Sequence, residues 1–250
     1  MPLVLGVAAS PPSATSRYAF FLDGGIPSQA EALANYAIAA NTGIPPKVLV
    51  LYSPGGVEQR VADAVFEQFR AAGWTAVQRL AWGRDSDFAK LRESHPGIVM
   101  ILSHDISHNE LAIWPKTMFL VPGVFLAPDA IASALPIGSR IFAAFPVLPS
   151  DFVGQALAEY QGLTKKYQLD SGDLQAQLAA LSGAKVLLEL LRRSGRDLSR
   201  EKLVEIEEGL RDFQTGWIPP FNFAPNQHVG IPSPRVVEVD VKNQKLIQVQ

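Results

Sequence analysis

Hydroxyls and glycines gathered just behind short apolar runs are the most chemically suggestive feature of this sequence. Ser10 and Ser13, in SPPS, follow the run over residues 2–8, and Tyr52, Ser53, Gly55 and Gly56 follow KVLVLY at 47–52. Hydroxyls and free backbone N–H groups there suit a carboxylate or carbonyl, particularly where a helix begins. The same letters also spell ordinary turns. SPGG lacks the Gly-Lys-Ser/Thr ending of a phosphate-binding loop, and no G-x-G-x-x-G follows a strand. His104 and His108, in SHDISHNE, are four apart and share a face if helical; with Asp105 or Glu110 they make a conceivable zinc pair. The zincin pattern needs Glu directly after the first His, and Asp105 stands there instead. His104 is therefore read as lining a strand end, His108 as solvated, and no metal site is expected.

Nucleophilic chemistry has little support. No G-x-S-x-G elbow occurs, and Ser182 in LSGAK falls in mid-helix, where a small polar residue helps packing. The carboxylate pairs Glu207 and Glu208, and Asp85 and Asp87, read as solvated helix ends. Trp114 and Trp217 are read as packing residues, the default for large aromatics. Zero cysteines exclude disulfides, thiolate metal sites and C-x-x-C-H haem attachment. The balance of 22 basic against 24 acidic residues has no one-sign block, which argues against a nucleic-acid surface or a polybasic membrane patch. No apolar run approaches the ~18 residues of a membrane span. MPLVLGVAAS lacks a basic n-region and has too short an apolar core for a secretory signal, so an export address is expected upstream of Met1.

The elements that must position these residues follow from periodicity. KVLVLY (47–52), TAVQRLAW (75–82), GIVMILS (97–103), TMFLVPG (117–123) and RIFAAFP (140–146) read as strands. Between them lie a helix carrying Val61, Val65 and Phe69 and ending near Gly73, a short one from Asp87 to Glu93, HDISHNELAI, and one over 128–135. Five strands with intervening helices predict an α/β fold with a doubly wound parallel sheet. Outside this block, 2–8 and 18–22 read as strands. Helices are predicted from about Asp151 to Tyr167, from a stripe of Leu174, Leu178, Leu181, Leu188 and Leu191 ending near Gly195, and from an N-cap at Asp197 or Ser199 to Gly209. VVEVDV and KLIQVQ read as an antiparallel hairpin. Crossings between two lobes are expected at 41–46, at 146–151 and near 214–223.

Together these stretches resemble the class I periplasmic solute-binding proteins, the branched-chain amino acid and amide receptor family. PLVLGVAASPPS resembles that family's lobe 1 strand and A-(T/S)-x-P ligand loop, and YAFFLDGGIPSQAEALANYA the F-L…Q…A-L-A segment after it. KVLVLYSPGG resembles the first strand and loop of lobe 2, and DSDFAKLRES its D-F…L helix. SGAKVLLELLRRSGRDLSREKLVEIEEGLRDFQTG, PPFNFAPNQHVG and the hairpin resemble the C-terminal third, so the likeness runs along essentially the whole chain.

The resemblance implies a two-lobed, type 1 periplasmic-binding-protein-like fold. Lobe 1 is expected in 1–43 and 150–215, truncated because family members carry a further stretch ahead of the counterpart of Pro2, and lobe 2 in 44–149 and 216–250. An edge and apolar helix faces left uncovered would favour self-association or pairing with the absent segment. The implied function is an extracytoplasmic, periplasmic solute-binding module of an ABC transport or sensing system, with a permease or sensor as partner. It is not expected to be an enzyme or to carry a cofactor. The solute would lie between the lobes against Ala9, Ser10, Ser13, Tyr52, Ser53, Gly55, Gly56, Ser103, His104, Pro122 and Gly123. Amino-acid binders place an acidic residue in the loop after the fourth lobe 2 strand. VPGVFLAPD puts Gly123 there and Asp129 too far along, and SPGGVE replaces an expected aromatic. A buried ammonium without a carboxylate is costly, so a small neutral or anionic solute is expected. Two rivals stand: a ligand-free interaction or scaffold domain of a cytochrome-linked or other envelope complex, and a doubly wound enzyme, for which no nucleophile, metal or cofactor motif is found.

Overall fold

Runs of consecutive apolar residues become strands buried on both faces. In the computed structural model, which describes residues 3–5, 17–83, 91, 94–106, 113–126, 138–152, 154–169, 174–196, 198–240, 243 and 245–249, these runs are β3 (Val48–Tyr52), β5 (Ile98–Leu102), β6 (Met118–Pro122) and β7 (Arg140–Phe145). All five residues of β5 are buried. β4 (Val77–Ala81) sits at the sheet's edge, with exposed Gln78 and Arg79, as edge strands commonly carry polar side chains. β9 (Arg235–Asp240) and β10 (Lys245–Gln248) form the expected antiparallel hairpin, and β9 also pairs antiparallel with β7. The seven-stranded order is β10-β9-β7-β6-β5-β3-β4, with every pair from β4 to β7 parallel.

Two units divide the chain: Met1–Gly25 with Pro146–Pro234, and Ile26–Phe145 with Arg235–Gln250. The chain therefore crosses at 25/26, 145/146 and 234/235; the middle crossing lies four residues from the sequence-drawn boundary, and the first and last are displaced by 18 and 19 residues. Helix α1 (Gly25–Ala40) lies in the second unit because Ile26, Ala30, Leu33, Ala34 and Ala37 bury one face in the same core as β3 and β5. Gln68 of α2 (Gly56–Ala71) ties it down, donating to the Glu31 carbonyl and to Asn35 Oδ1 at 3.2 and 2.7 Å. α2 buries Val61, Ala62, Val65 and Phe69 and ends before Gly73, whose φ of +85° suits glycine. Residues 216–234 stay with the first unit because β8 (Val229–Ile231) pairs with β2 (Ala19–Asp23), Phe21 opposite Val229.

The first unit is a parallel three-stranded sheet, β1 (Leu3–Leu5), β2 and β8, with α3 (Gly154–Tyr167), α4 (Leu174–Ser194) and α5 (Arg200–Glu208). Phe20, Phe221 and Phe223 form its aromatic centre, Phe223 lying edge-on to both others at 5.2 Å. Of the two candidate caps, Ser199 starts α5, its hydroxyl accepting the Lys202 N–H at 3.3 Å. The predicted leucine stripe of α4 needs correction. Leu178, Ala179, Ser182, Val186, Leu190 and Ser194 are buried, while Leu188 and Leu191 are exposed at 66% and 42%. Leu174 and Leu181 of the stripe pack half-buried against the same core as Leu178, so the stripe holds over the first half of the helix and fails at Leu188 and Leu191. Trp114 and Trp217 are both buried and donate their indole N–H to the carbonyls of Leu91 and Ala156. The predicted helices at 87–93, 104–113 and 128–135 fall wholly or largely outside the described residues.

Candidate functional site

In the second unit the chain runs from β3 outward to β4, then returns across β3 to place β5 on its other side before continuing to β6 and β7. The reversal makes β3 and β5 a topological switch point. In open parallel sheets the loops leaving such a point diverge and leave a crevice at the carboxyl ends of the strands. Four of the predicted site residues, Tyr52, Ser53, Ser103 and His104, lie at those two ends.

Ser53 prolongs the ladder by donating its N–H to the Leu102 carbonyl at 3.1 Å, and its hydroxyl donates to Ser103 Oγ at 2.8 Å. Ser103 is 2% exposed and also accepts the Asp105 N–H at 3.1 Å. The Ser53 hydroxyl, only half-buried, thus keeps acceptor capacity for an incoming group. His104 is exposed and meets the Phe125 ring edge-on at 4.6 Å.

Behind β3, Gly55 and Gly56 have φ of +78° and +82°, a left-handed pair that only glycine adopts without strain. They turn the chain into α2 with no side chain capping its first turn, so backbone N–H groups remain at the mouth. The Gly55 N–H itself donates to Gln59 Oε1 at 3.0 Å. Glu58 lies in this first turn, its Oε2 against Gly56. The helix start is therefore partly occupied by its own carboxylate.

At the end of β6, Pro122 is buried and Gly123 half-buried. The Gly123 N–H donates to Gln29 Oε1 at 2.8 Å. A Cβ at position 123 would overlap the Phe145 ring and lie 2.9 Å from the Ala144 carbonyl oxygen. This strand end can offer backbone and no side chain. Ala9, Ser10, Ser13, His108 and Asp129 lie outside the described residues.

Several residues of consequence escaped the sequence reading. Gln29 is 4% exposed; its signal was a polar residue on the face defined by Ile26, Ala30, Leu33 and Ala37. Asp23, at the carboxyl end of β2 in the first unit, accepts the Gly25 N–H at 2.7 Å, and burial pushes its carboxyl above the usual range. Glu207, expected to be solvated, is fully buried in the first unit without a hydrogen-bond partner, and desolvation pushes its pKa up to about 8. Its signal was the spacing of four from buried Leu203.

A surface pocket of about 480 Å³ opens beside β4, lined in part by Phe66, Arg79, Leu80 and Ser94, rather than at the strand ends. Arg79 there is already held by Asp63 and lies over the Phe66 ring. Among the described residues, no group of three or more His, Asp or Glu could hold a metal ion, and no helix is long and apolar enough to cross a membrane.

No protein-family model matches the chain, and no curated protein sequence does. Solved structures do. A branched-chain amino acid ABC transporter protein from Thermus thermophilus with bound valine superposes at a TM-score of 0.73 and 17% identity, over 97% of this chain and 68% of that one. The leucine-binding protein LivK of Thermotoga maritima gives 0.69 and 18%, over 100% and 72%. A solute-binding protein of an ABC transporter from R. palustris, in complex with 4-hydroxybenzoate, gives 0.72 and 18%, over 100% and 70%. The chain has the type 1 periplasmic-binding-protein fold and spans about seven-tenths of these proteins' length.

Proposed function

We propose that this protein is a non-enzymatic, extracytoplasmic solute-binding module of an ABC transport or sensing system. Its solute lies against the carboxyl ends of β3, β5 and β6, and a membrane permease or sensor is its partner. The observation that carries this reading is the Ser53–Ser103 hydroxyl pair at the switch point, beside a helix start and a side-chain-free strand end. The first-turn N–H groups favour an oxygen acceptor on the solute, while the Ser53 hydroxyl, whose proton goes to Ser103, accepts from a solute N–H or O–H. The Glu58 carboxylate opposes a concentrated negative charge and favours amide, hydroxyl or delocalised carboxylate groups. A small neutral or weakly anionic solute fits this balance.

Calorimetry and thermal unfolding across branched-chain amino acids, their amides and hydroxybenzoates test the proposal. A solute at a hundredfold excess over its Kd stabilises the folded chain by about 2.7 kcal/mol, a clear rise in Tm. Replacing Ser53 and Ser103 together by alanine should weaken a hit by about tenfold or more. A flat response across the panel would favour the ligand-free interaction domain instead.

Leu188 and Leu191 on the outer face of α4 support a second element of the reading, self-association or pairing with a complementary segment. Light scattering on concentrated protein should report a species above the 27.1 kDa of one chain. A Leu188→Glu, Leu191→Glu variant should return it to the monomer, and a wild-type chain that stays monomeric would remove this element.

A further inference from the structure

The candidate site stands on three strand ends, and the third is held from a distance. β6 ends at Pro122, and the next N–H, that of Gly123, has left the strand ladder. It is met by the carboxamide oxygen of Gln29, 94 positions earlier in the chain and 4% exposed on the buried face of α1. On its other side the α-carbon of Gly123 lies so close to the Phe145 ring that no side chain fits between them. From this fixed point a single 3₁₀ turn, Gly123–Phe125, closes through the Leu126 N–H on the Gly123 carbonyl at 3.1 Å. The turn delivers Phe125, 8% exposed, against the edge of the His104 ring at the end of β5.

We propose that Gln29 is a positioning residue for the solute site: its carboxamide and the Phe145 ring clamp Gly123 from two sides, and the turn that starts there sets where Phe125 holds His104. The inference rests on reading these strand ends as the solute site, but its test needs no solute, so either can fail alone. Gln29 acts through Gly123 and Phe125 and touches no solute itself. Losing the clamp frees the turn without removing any apolar group from the core. That separates positioning from bulk stability.

The test uses the full chain, 15N-labelled, with the His104 imidazole signals assigned by their loss in His104→Gln. Gln29→Met keeps the side chain's length and removes the acceptor; Phe145→Leu opens the other jaw. Both should move the His104 ring signals and speed exchange of the Gly123 amide by about fivefold or more, the value of one net hydrogen bond. Gln29→Glu retains an acceptor oxygen and should preserve both readouts. Leu33→Ala, one turn along α1 and more destabilising, should alter neither. Unchanged His104 signals in folded Gln29→Met, or the same change in Leu33→Ala, would overturn the proposal. Should Gln29→Met fail to fold, Phe145→Leu decides on the same two readouts.

Discussion

Ser182 on α4 and Glu207 on α5 are both 0% exposed, both polar, and both part of the first unit, where the two helices pack against each other. Their surroundings differ. The Ser182 hydroxyl lies 3.1 Å from Thr215 Oγ1. Thr215 is held in turn, accepting the Trp217 N–H at 3.4 Å while its carbonyl takes Lys185 Nζ at 2.9 Å. Lys185 completes the arrangement by pairing with Glu159 and lying 3.6 Å over the Trp217 ring. Around Glu207 neither carboxylate oxygen has a hydrogen-bond partner. Helix register decides that both are buried, since each falls four residues from an apolar neighbour that faces the core. Whether burial is tolerated depends on the partner. The hydroxyl is neutral and satisfied, so the fold carries it at every pH. The carboxyl is tolerated as long as it keeps its proton.

The largest expected effect breaks that symmetry by pH. Desolvation raises the Glu207 pKa from 4.5 to about 8 in the folded chain. Below pH 4.5 the group is neutral in both states, and its contribution is at its most favourable. As pH rises toward 8 the unfolded chain gives up a proton that the folded chain retains, so stability falls over that window and levels off above it. The full shift corresponds to a ceiling of about 5 kcal/mol. Urea unfolding at pH 5 and pH 8.5 should show the wild type losing a large part of this, and Glu207→Met, which fills the same space without charge, losing much less. Parallel pH profiles for the two proteins would mean that Glu207 is ionised or hydrated in the folded state. Glu207→Gln should also flatten the profile, but with less stability, because its amide stays buried without a partner.

The same contrast measures what could be read from the sequence. The central strands were legible because VLVLY and IVMIL are unbroken apolar runs of residues that favour strands. The Ser199 cap and the terminal hairpin carried equally local signals. Strand β8 was not legible: it is three residues with Gly230 in the middle, and it exists because Val229 pairs with Phe21 far away in the chain. The assignment of α1 to the second unit likewise depends on distant contacts, Gln29 to Gly123 among them. In the candidate site, the positions of Tyr52, Ser53 and Ser103 at strand ends followed from strand boundaries. The bond joining Ser53 to Ser103, across 50 positions, followed from the strand order and could not be read locally. Glu207 was misread for a different reason. Its neighbour Glu208 is polar too, and a pair of glutamates at a helix end outweighed the spacing of four from Leu203. Helical period puts Glu207 four residues past buried Leu203 and Glu208 four past buried Val204; Glu208 is only half-buried and meets His228 at 3.2 Å.

The smallest expected effect sharpens the comparison from the other side. Ser182→Ala removes one hydroxyl from a buried pair and leaves a gap smaller than a methyl group. Thr215 Oγ1 is not orphaned by the change, because it still receives the Trp217 N–H, and the Thr215 hydroxyl can reorient. The cost should be about 1 kcal/mol, the net value of a single hydrogen bond. Since no titratable group is involved, the difference between variant and wild type should be the same at pH 5 and pH 8.5. Unfolding in urea at both values measures this directly. A loss well above 3 kcal/mol would place the strength of the pair in the wider Thr215–Lys185–Trp217 network rather than in the hydroxyl contact. A loss that grows with pH would tie Ser182 to the protonation of Glu207 across the helix pair, and the two positions would then be one coupled site.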